Sequence, residues 1–375
     1  MPVNLLAALG DERYGASALA RALDLAARAG FTLRRVDGPH DDRLAAWIDL
    51  HFAPSWWSYE ARAGSAWVAE HDGEIAGFAA FGARGLRFRW LRAWRDRPDV
   101  GIFGPYGVAQ AQRGCGIGDA LLTAALCSLR EMGYAFALIP AVGGERLIAT
   151  YIRRTGAAVV EEFGYDAGRF RATILASGAG TNARNVLERA RDGSLPVDVA
   201  AVIVNRPATG AADAARAHGV AAIELVWERA AESRAAHDAR VIDALARTEP
   251  QLVLLLGWMH LLPAEFFERF PVTLNVHPSF LPLDPAADEV VAPDGSLIPA
   301  LRGAHALRDA LRDGVAWSGA TVHYVTQATD RGEVLVRVPV AVGDAASEAA
   351  LLARVRPAEF AAVPAAIRRW TFEIA

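Results

Sequence analysis

The sequence predicts two consecutive α/β units: a mixed α/β first half, then a second half built on a mostly parallel sheet. Three observations carry this. The chain has 375 residues, enough for two domains at roughly 150 each. It is 53% hydrophobic and 22% charged, so both halves can bury a core. From about Arg171 onward, apolar runs rich in β-branched residues or leucine alternate with helical stretches, the pattern of a parallel sheet covered on both faces.

In chain order, the first 30 residues read as an Ala-rich helix stopped at Gly30. Phe31 to Val36 reads as a strand, and DDRLAAWIDLHF as a helix capped by Asp41. AWVAEHDGEIAGFAAFG reads as two strands around a tight turn at Asp72-Gly73. A strand over Val100 to Val108, a glycine turn and a helix to about Met132 follow. AFALIPAV is a buried strand and Glu145 to Thr155 a helix. In the second half, ATILASG, DVAAVIVN, LVLLLG and TLNVH are strands, with helices expected over Asn185 to Arg191, Ala211 to His218 and Ser233 to Thr248. The boundary falls near residues 165 to 172, giving domains 1–168 and 169–375.

Composition excludes several function classes. All 39 basic residues are arginine, so neither a P-loop lysine nor a Schiff base is available. The net charge of −4 argues against a general nucleic-acid binder. Cys115 and Cys127 are the only cysteines, so no metal site or disulfide framework is expected, and a reducing cytoplasm fits. No signal peptide is expected, and the longest apolar stretch, Leu252 to Leu262, is too short to span a bilayer. Between Arg84 and Arg97 arginines interleave with Phe88, Trp90 and Trp94, which reads as a strand with one wet face.

The first glycine turn is Arg113-Gly114-Cys115-Gly116-Ile117-Gly118. A glycine turn opening a helix exposes backbone N–H groups at a positive helix end, which suits a pyrophosphate. GPYGVAQAQRGCGIGDALLTAAL, then GYAFALI, then a helix containing Tyr151, resembles the GNAT acyltransferase superfamily over about residues 30–165. The resemblance implies a GNAT-like fold and binding of acetyl-CoA or another acyl-CoA. Arg113, Gly114, Gly116 and Gly118 would hold its pyrophosphate, and the strand around Gly107 and Val108 its pantetheine arm. Tyr151 would protonate the leaving thiolate.

The second turn is Ser177-Gly178-Ala179-Gly180-Thr181-Asn182. Gly178, Gly180 and Ala183 formally satisfy a dinucleotide pattern, but the next strand ends in Asn205 rather than an acid. An anion or carboxylate cradle at a helix N-terminus is the better reading. Asn275 and His277 lie two apart on one strand, hence on one face, and Pro278 ends the ladder. Strand ends of open α/β sheets are where ligands bind. With His323 and Asp330 downstream, an amide donor, an imidazole and a carboxylate make an acyl-transfer site plausible.

SGAGTN, GWMHLL, NVHPSFLP and GATVHYVTQATDRGEVL, in this order, resemble the folate-dependent formyltransferase family, specifically its phosphoribosylglycinamide formyltransferase branch. The resemblance runs from about Arg171 to Trp370 and implies a Rossmann-like domain using 10-formyltetrahydrofolate. It makes Asn275, His277 and Asp330 catalytic: Asn275 and protonated His277 would face the oxyanion, and Asp330 would hold His277. Trp258, Met259, His260, Leu261, Leu262, Thr326 and Thr329 would line the pterin pocket. Ser177, Gly178, Gly180, Thr181, Asn182 and His305 would meet the acceptor.

There are departures. Leu283 stands where the ribonucleotide-formylating relatives have lysine, His260 where they have arginine, and an acidic insertion follows Leu283. The expectation is therefore an N-formyltransferase acting on a small-molecule amine of specialised metabolism. Its alternatives are a formyltetrahydrofolate hydrolase or the purine-pathway enzyme, with the GNAT-like half a catalyst or a binding module. A homo-oligomer is left open; neither nucleic acid nor membrane is an expected partner.

Overall fold

The computed structural model describes residues 1–38, 41–83, 85–164 and 168–374. Two compact units emerge: Met1–Phe52, Trp57–Tyr165 and Phe372–Ala375 in one, Ala53–Trp56 and Asp166–Thr371 in the other.

The first unit holds strands β1 (Val3–Ala8), β2 (Thr32–Val36), β3 (Ser65–His71), β4 (Glu74–Phe81), β5 (Val100–Val108), β6 (Phe136–Val142) and β7 (Ala158–Glu162). Its helices are α1 (Asp11–Tyr14), α2 (Ala16–Arg28), α3 (Asp42–Phe52), α4 (Trp57–Arg62), α5 (Ile117–Glu131) and α6 (Glu145–Thr155). The sheet order is β2-β3-β4-β5-β6-β1-β7. Asp41 caps α3, its carboxylate accepting from the Leu44 amide at 3.0 Å. Asp72 and Gly73 both have positive φ, as the two-residue turn between β3 and β4 requires.

Two expectations fail here. The first residues are not all helix: Val3–Ala8 is a strand between β6 and β7, with Leu5 and Ala7 fully buried. Alanine favours helix by local propensity, but a slot between two strands rewards any small apolar residue that fills it. The arginine-rich stretch is not a strand either. Its one regular piece among the described residues is a short 3₁₀ turn, Arg89–Leu91, and Arg84 lies outside that set. Phe88 and Trp90 are buried and stacked 4.9 Å apart, so these two rings pack the unit rather than face solvent.

The second unit holds β8 (Phe170–Ala176), β9 (Val197–Val204), β10 (Ala221–Glu224), β11 (Leu252–Leu255), β12 (Thr273–His277), β13 (Glu289–Val291), β14 (Leu297–Pro299), β15 (Trp317–Tyr324) and β16 (Val334–Ala341). Its helices are α7 (Thr181–Arg191), α8 (Gly210–Ala217), α9 (Arg234–Ala246), α10 (Ala264–Arg269), α11 (Ala306–Arg312) and α12 (Glu348–Ile374). The main sheet runs β10-β9-β8-β11-β12-β15-β16. Neighbours from β10 to β12 are parallel, and β15 and β16 are antiparallel additions. Alternation along β8 sends Ile174 into one core and Leu175 into the other, so helices cover both faces. This is the mostly parallel, Rossmann-like arrangement expected. The insertion after Leu283 folds as the β13–β14 hairpin, which the sequence reading left unassigned.

Candidate active site

Register brings the motifs of the second unit together. Leu175 pairs with Leu255, and Leu255 with Asn275. Two residues further on, Ser177, Gly257 and His277 therefore stand at neighbouring carboxyl ends of β8, β11 and β12. The Ser177 amide donates to the Gly257 carbonyl at 3.1 Å, and the Ser177 hydroxyl accepts from the Met259 amide at 3.0 Å. Antiparallel pairing then sets His323 of β15 directly across from Asn275.

Asp330 closes the group. Its backbone sits in the left-handed region at φ +52°, turning the carboxylate back onto the strand ends. Oδ2 lies 3.4 Å from His277 Nδ1, and Oδ1 lies 3.4 Å from His323 Nε2. Asn275 Nδ2 donates to Asp330 Oδ1 at 3.4 Å and lies 3.3 Å from His323 Nε2. The far nitrogen of each imidazole faces a backbone carbonyl: His277 Nε2 that of Leu301 at 2.8 Å, His323 Nδ1 that of Tyr324 at 2.7 Å. Those carbonyls fix which nitrogen carries the proton in each neutral ring.

This geometry alters one expectation. Both ring nitrogens of His277 already face acceptors, so no ring N–H is left to meet an oxyanion. The imidazole instead faces Asp330. Burial holds its pKa below the ordinary histidine value, opposed by the Asp330 charge and the Leu301 carbonyl. Burial alone would raise the Asp330 carboxyl. The His323 hydrogen bond, the fields of both imidazoles and the Gly303 amide outweigh it and hold the group well below the usual carboxylate range.

The cradle at 177–182 forms at the N-terminus of α7. Gly180 caps the helix at φ +69°, and a side chain there would strike the Ala211 backbone. Ser177 and Asn182 are buried, whereas Gly178 and Thr181 lie nearer the surface. Asn182 Nδ2 donates to Glu359 Oε2 at 3.0 Å, and Asn182 Oδ1 has no partner. Burial raises the Glu359 carboxyl, while Asn182 and Arg356 counter it. The sequence reading missed Glu359, a single acid inside a long Ala-rich helix with no motif to mark it.

Along the segment after β11, Met259 is 51% exposed and Leu261 75% exposed, an apolar shelf. Thr326 and Thr329 lie exposed in the loop leading to Asp330. Trp258 is buried with its indole N–H not hydrogen-bonded, and behind it His260 stacks edge-on to His237, which is 0% exposed, with no hydrogen bond to either ring nitrogen and Glu232 Oε1 3.7 Å from Nδ1. Arg234, also unflagged by the sequence, donates to the Leu261 carbonyl and to Asp238. Leu262 is half-buried in the core beside them. His305 is exposed at the start of α11 and makes no polar contact with Asn275, His277 or Asp330 among the described residues.

In the first unit, β5 and β6 pair only from Val100 to Ile102 and then part. Beyond Ile102, β5 pairs with β4 alone, leaving one edge of residues 103–108 open. Arg113 Nε donates to the Val108 carbonyl at 3.2 Å, linking that edge to the glycine turn. Gly114 and Gly116 adopt φ of +89° and +87°, and Gly116 caps α5. Gly118 packs against the Tyr106 hydroxyl so closely that a side chain would overlap it. Tyr151 is buried against Phe103 and Tyr106, and burial raises its phenol. Tyr106, which the sequence reading passed over, thus touches both the turn and Tyr151.

Comparison with known proteins gives a family match for each half of the chain. Residues 170–288 and 283–367 match the Formyl transferase family model, and residues 31–156 match the Acetyltransferase (GNAT) family model. The phosphoribosylglycinamide formyltransferase of Mycobacterium tuberculosis is 36% identical over 200 residues, covering 52% of this chain and 83% of that protein. Its Escherichia coli K12 counterpart is 32% identical over 197 residues, covering 52% and 84%. Glycinamide ribonucleotide transformylase 1 of Symbiobacterium toebii, a solved structure, is 32% identical, with 57% of this chain and 92% of that one covered and a TM-score of 0.48. With the family's match spanning most of the second unit around the Asn275, His277 and Asp330 cluster, the chain belongs to the formyl transferase family and carries a GNAT-family domain ahead of that part.

Proposed function

We propose that the second unit is an N-formyltransferase that moves a formyl group from 10-formyltetrahydrofolate to the amine of a small metabolite. The convergence of Asn275, Asp330 and His277 at the strand ends carries this reading. Asn275 Nδ2 donates to the oxygen on which negative charge develops. Asp330, kept ionised, takes up the proton lost by the attacking amine; shared with His277 and His323 through the 3.4 Å contacts, that proton passes to the folate nitrogen as its bond to the formyl carbon breaks and tetrahydrofolate leaves. 10-Formyltetrahydrofolate supplies the activated formyl carbon. The shelf of Met259 and Leu261, with the Thr326–Asp330 loop, suits the flat apolar face of a pterin.

The acceptor meets the cradle, where the α7 N-terminus, Asn182 and Glu359 supply polar groups. Leu283 and the β13–β14 hairpin favour an acceptor other than the purine-pathway ribonucleotide. The retained cradle and the 36% identical relative favour glycinamide ribonucleotide as the second reading. The first unit would hold an acyl-CoA along the open edge of β5 and the turn at 113–118, with Tyr151 as the acid. A panel of amines that includes glycinamide ribonucleotide, incubated with protein and 10-formyltetrahydrofolate and read by mass spectrometry, tests both readings. Formate released steadily with no amine formylated would replace the transferase with a hydrolase.

A further inference from the structure

Three consecutive residues bond the reacting group at three points. The Leu301 carbonyl faces His277 Nε2 at 2.8 Å, and the Gly303 amide donates to Asp330 Oδ2 at 2.7 Å. Between them, Arg302 Nε donates to the Asp330 carbonyl at 3.2 Å, and Nη2 donates to the Ala287 carbonyl at 2.7 Å. The Arg302 side chain is only 13% exposed. Asp330 holds a left-handed backbone, a conformation uncommon for residues other than glycine, asparagine and aspartate.

We infer that Arg302 is a positioning residue for Asp330: its guanidinium ties the Asp330 backbone to the arm leading into the β13–β14 hairpin and so aims the carboxylate at His277 and Asn275. The inference rests on the reading of Asp330 as part of the reacting centre. Geometry matters more than charge here. The carboxylate facing Arg302, Asp288, lies 3.4 Å away, is 76% exposed and is shared with Arg331, an arrangement that contributes little. A planar fork reaches two carbonyls in different directions at once, which one ammonium group cannot reproduce.

The test uses the full chain with Arg302→Met and Arg302→Lys, and Asp330→Asn as the benchmark. The first readout is the imidazole nitrogen-15 spectrum of His277, which reports its tautomer and hydrogen bonds, with the peak identified through His277→Asn. Both Arg302 variants should move that spectrum toward the Asp330→Asn one while keeping the wild-type circular dichroism. The second is turnover of 10-formyltetrahydrofolate, where kcat should fall roughly tenfold to a hundredfold with KM for the folate nearly unchanged. Wild-type spectrum and kcat in Arg302→Lys would overturn the inference, because charge alone would then suffice. Lost turnover in Arg302→Met with an unmoved His277 spectrum would overturn it too, placing Arg302 on the acceptor instead. If Arg302→Met does not fold, the lysine variant decides. A wild-type protein without turnover would refute the transferase reading, and the His277 spectrum would still decide the positioning role.

Discussion

His277 Nδ1 lies 3.4 Å from Asp330 Oδ2, in a setting where the imidazole is fully buried and the carboxylate nearly so. Burial keeps the His277 pKa below its ordinary value, and partners keep that of Asp330 low. Both folded values lie under the unfolded ones, about 6.5 and 3.9, so the unfolded chain binds more protons and stability rises with pH. The His277 contribution is present above about pH 6.5 and fades as pH falls toward its folded value; that of Asp330 fades below about pH 4. Urea unfolding should therefore show stability declining from pH 7 to 5.5. His277→Asn should reduce that slope, with His51, His237 and His260, also held low by burial, supplying the remainder. An unchanged slope in His277→Asn would refute the linkage.

Asn275→Ala removes the donor proposed to meet the developing oxyanion. Losing one such donor costs about 3 kcal/mol of barrier, roughly a hundredfold in kcat. The residue is half-buried at a strand end, so the melting temperature should move little. Near-normal kcat in this variant would sink the proposed mechanism.

Glu359→Gln should keep a hydrogen bond to Asn182 while removing the ability to ionise at the cradle. The expected result is a raised KM for the acceptor with KM for the folate unchanged, measured by steady-state kinetics. Equal changes in both constants would place Glu359 outside the acceptor site.

Gly118→Ala forces a methyl group into the Tyr106 hydroxyl. Calorimetry with acetyl-CoA should show binding weakened or lost in Gly118→Ala and partly restored in Gly118→Ala with Tyr106→Phe, which removes the oxygen. Failure of the second change to restore binding would point to backbone strain in the turn rather than this contact.

Gly180→Ala combines a positive φ with collision against the Ala211 backbone. Destabilisation of about 2 kcal/mol or more is expected by chemical denaturation. A loss within about 0.5 kcal/mol would show that the α7–α8 approach relaxes freely.

Much of this site was legible because its signals are local. The spacing of Asn275 and His277 puts both on one strand face, and Pro278 marks the strand end whatever surrounds it. Glycines 114, 116 and 180 announce left-handed turns that hardly any other residue adopts. Glu359 and Arg302 had no such signal, since each matters through a partner far away in sequence: Asn182 for one, Asp330 for the other. β1 was misread for a related reason. Its six residues, VNLLAA, become a strand through pairing with β6 and β7.

The sequence by itself determined the two α/β halves, the glycine turns that open α5 and α7, and the absence of any lysine-based chemistry, because periodicity, glycine φ and residue type act within a few positions of the chain. Only the tertiary structure decided that both His277 nitrogens are engaged, that His323 stands across from Asn275, and that Arg302 and Gly303 bond Asp330. Those outcomes depend on strand register and long-range hydrogen bonds, whose energies arise between segments that no local pattern brings together.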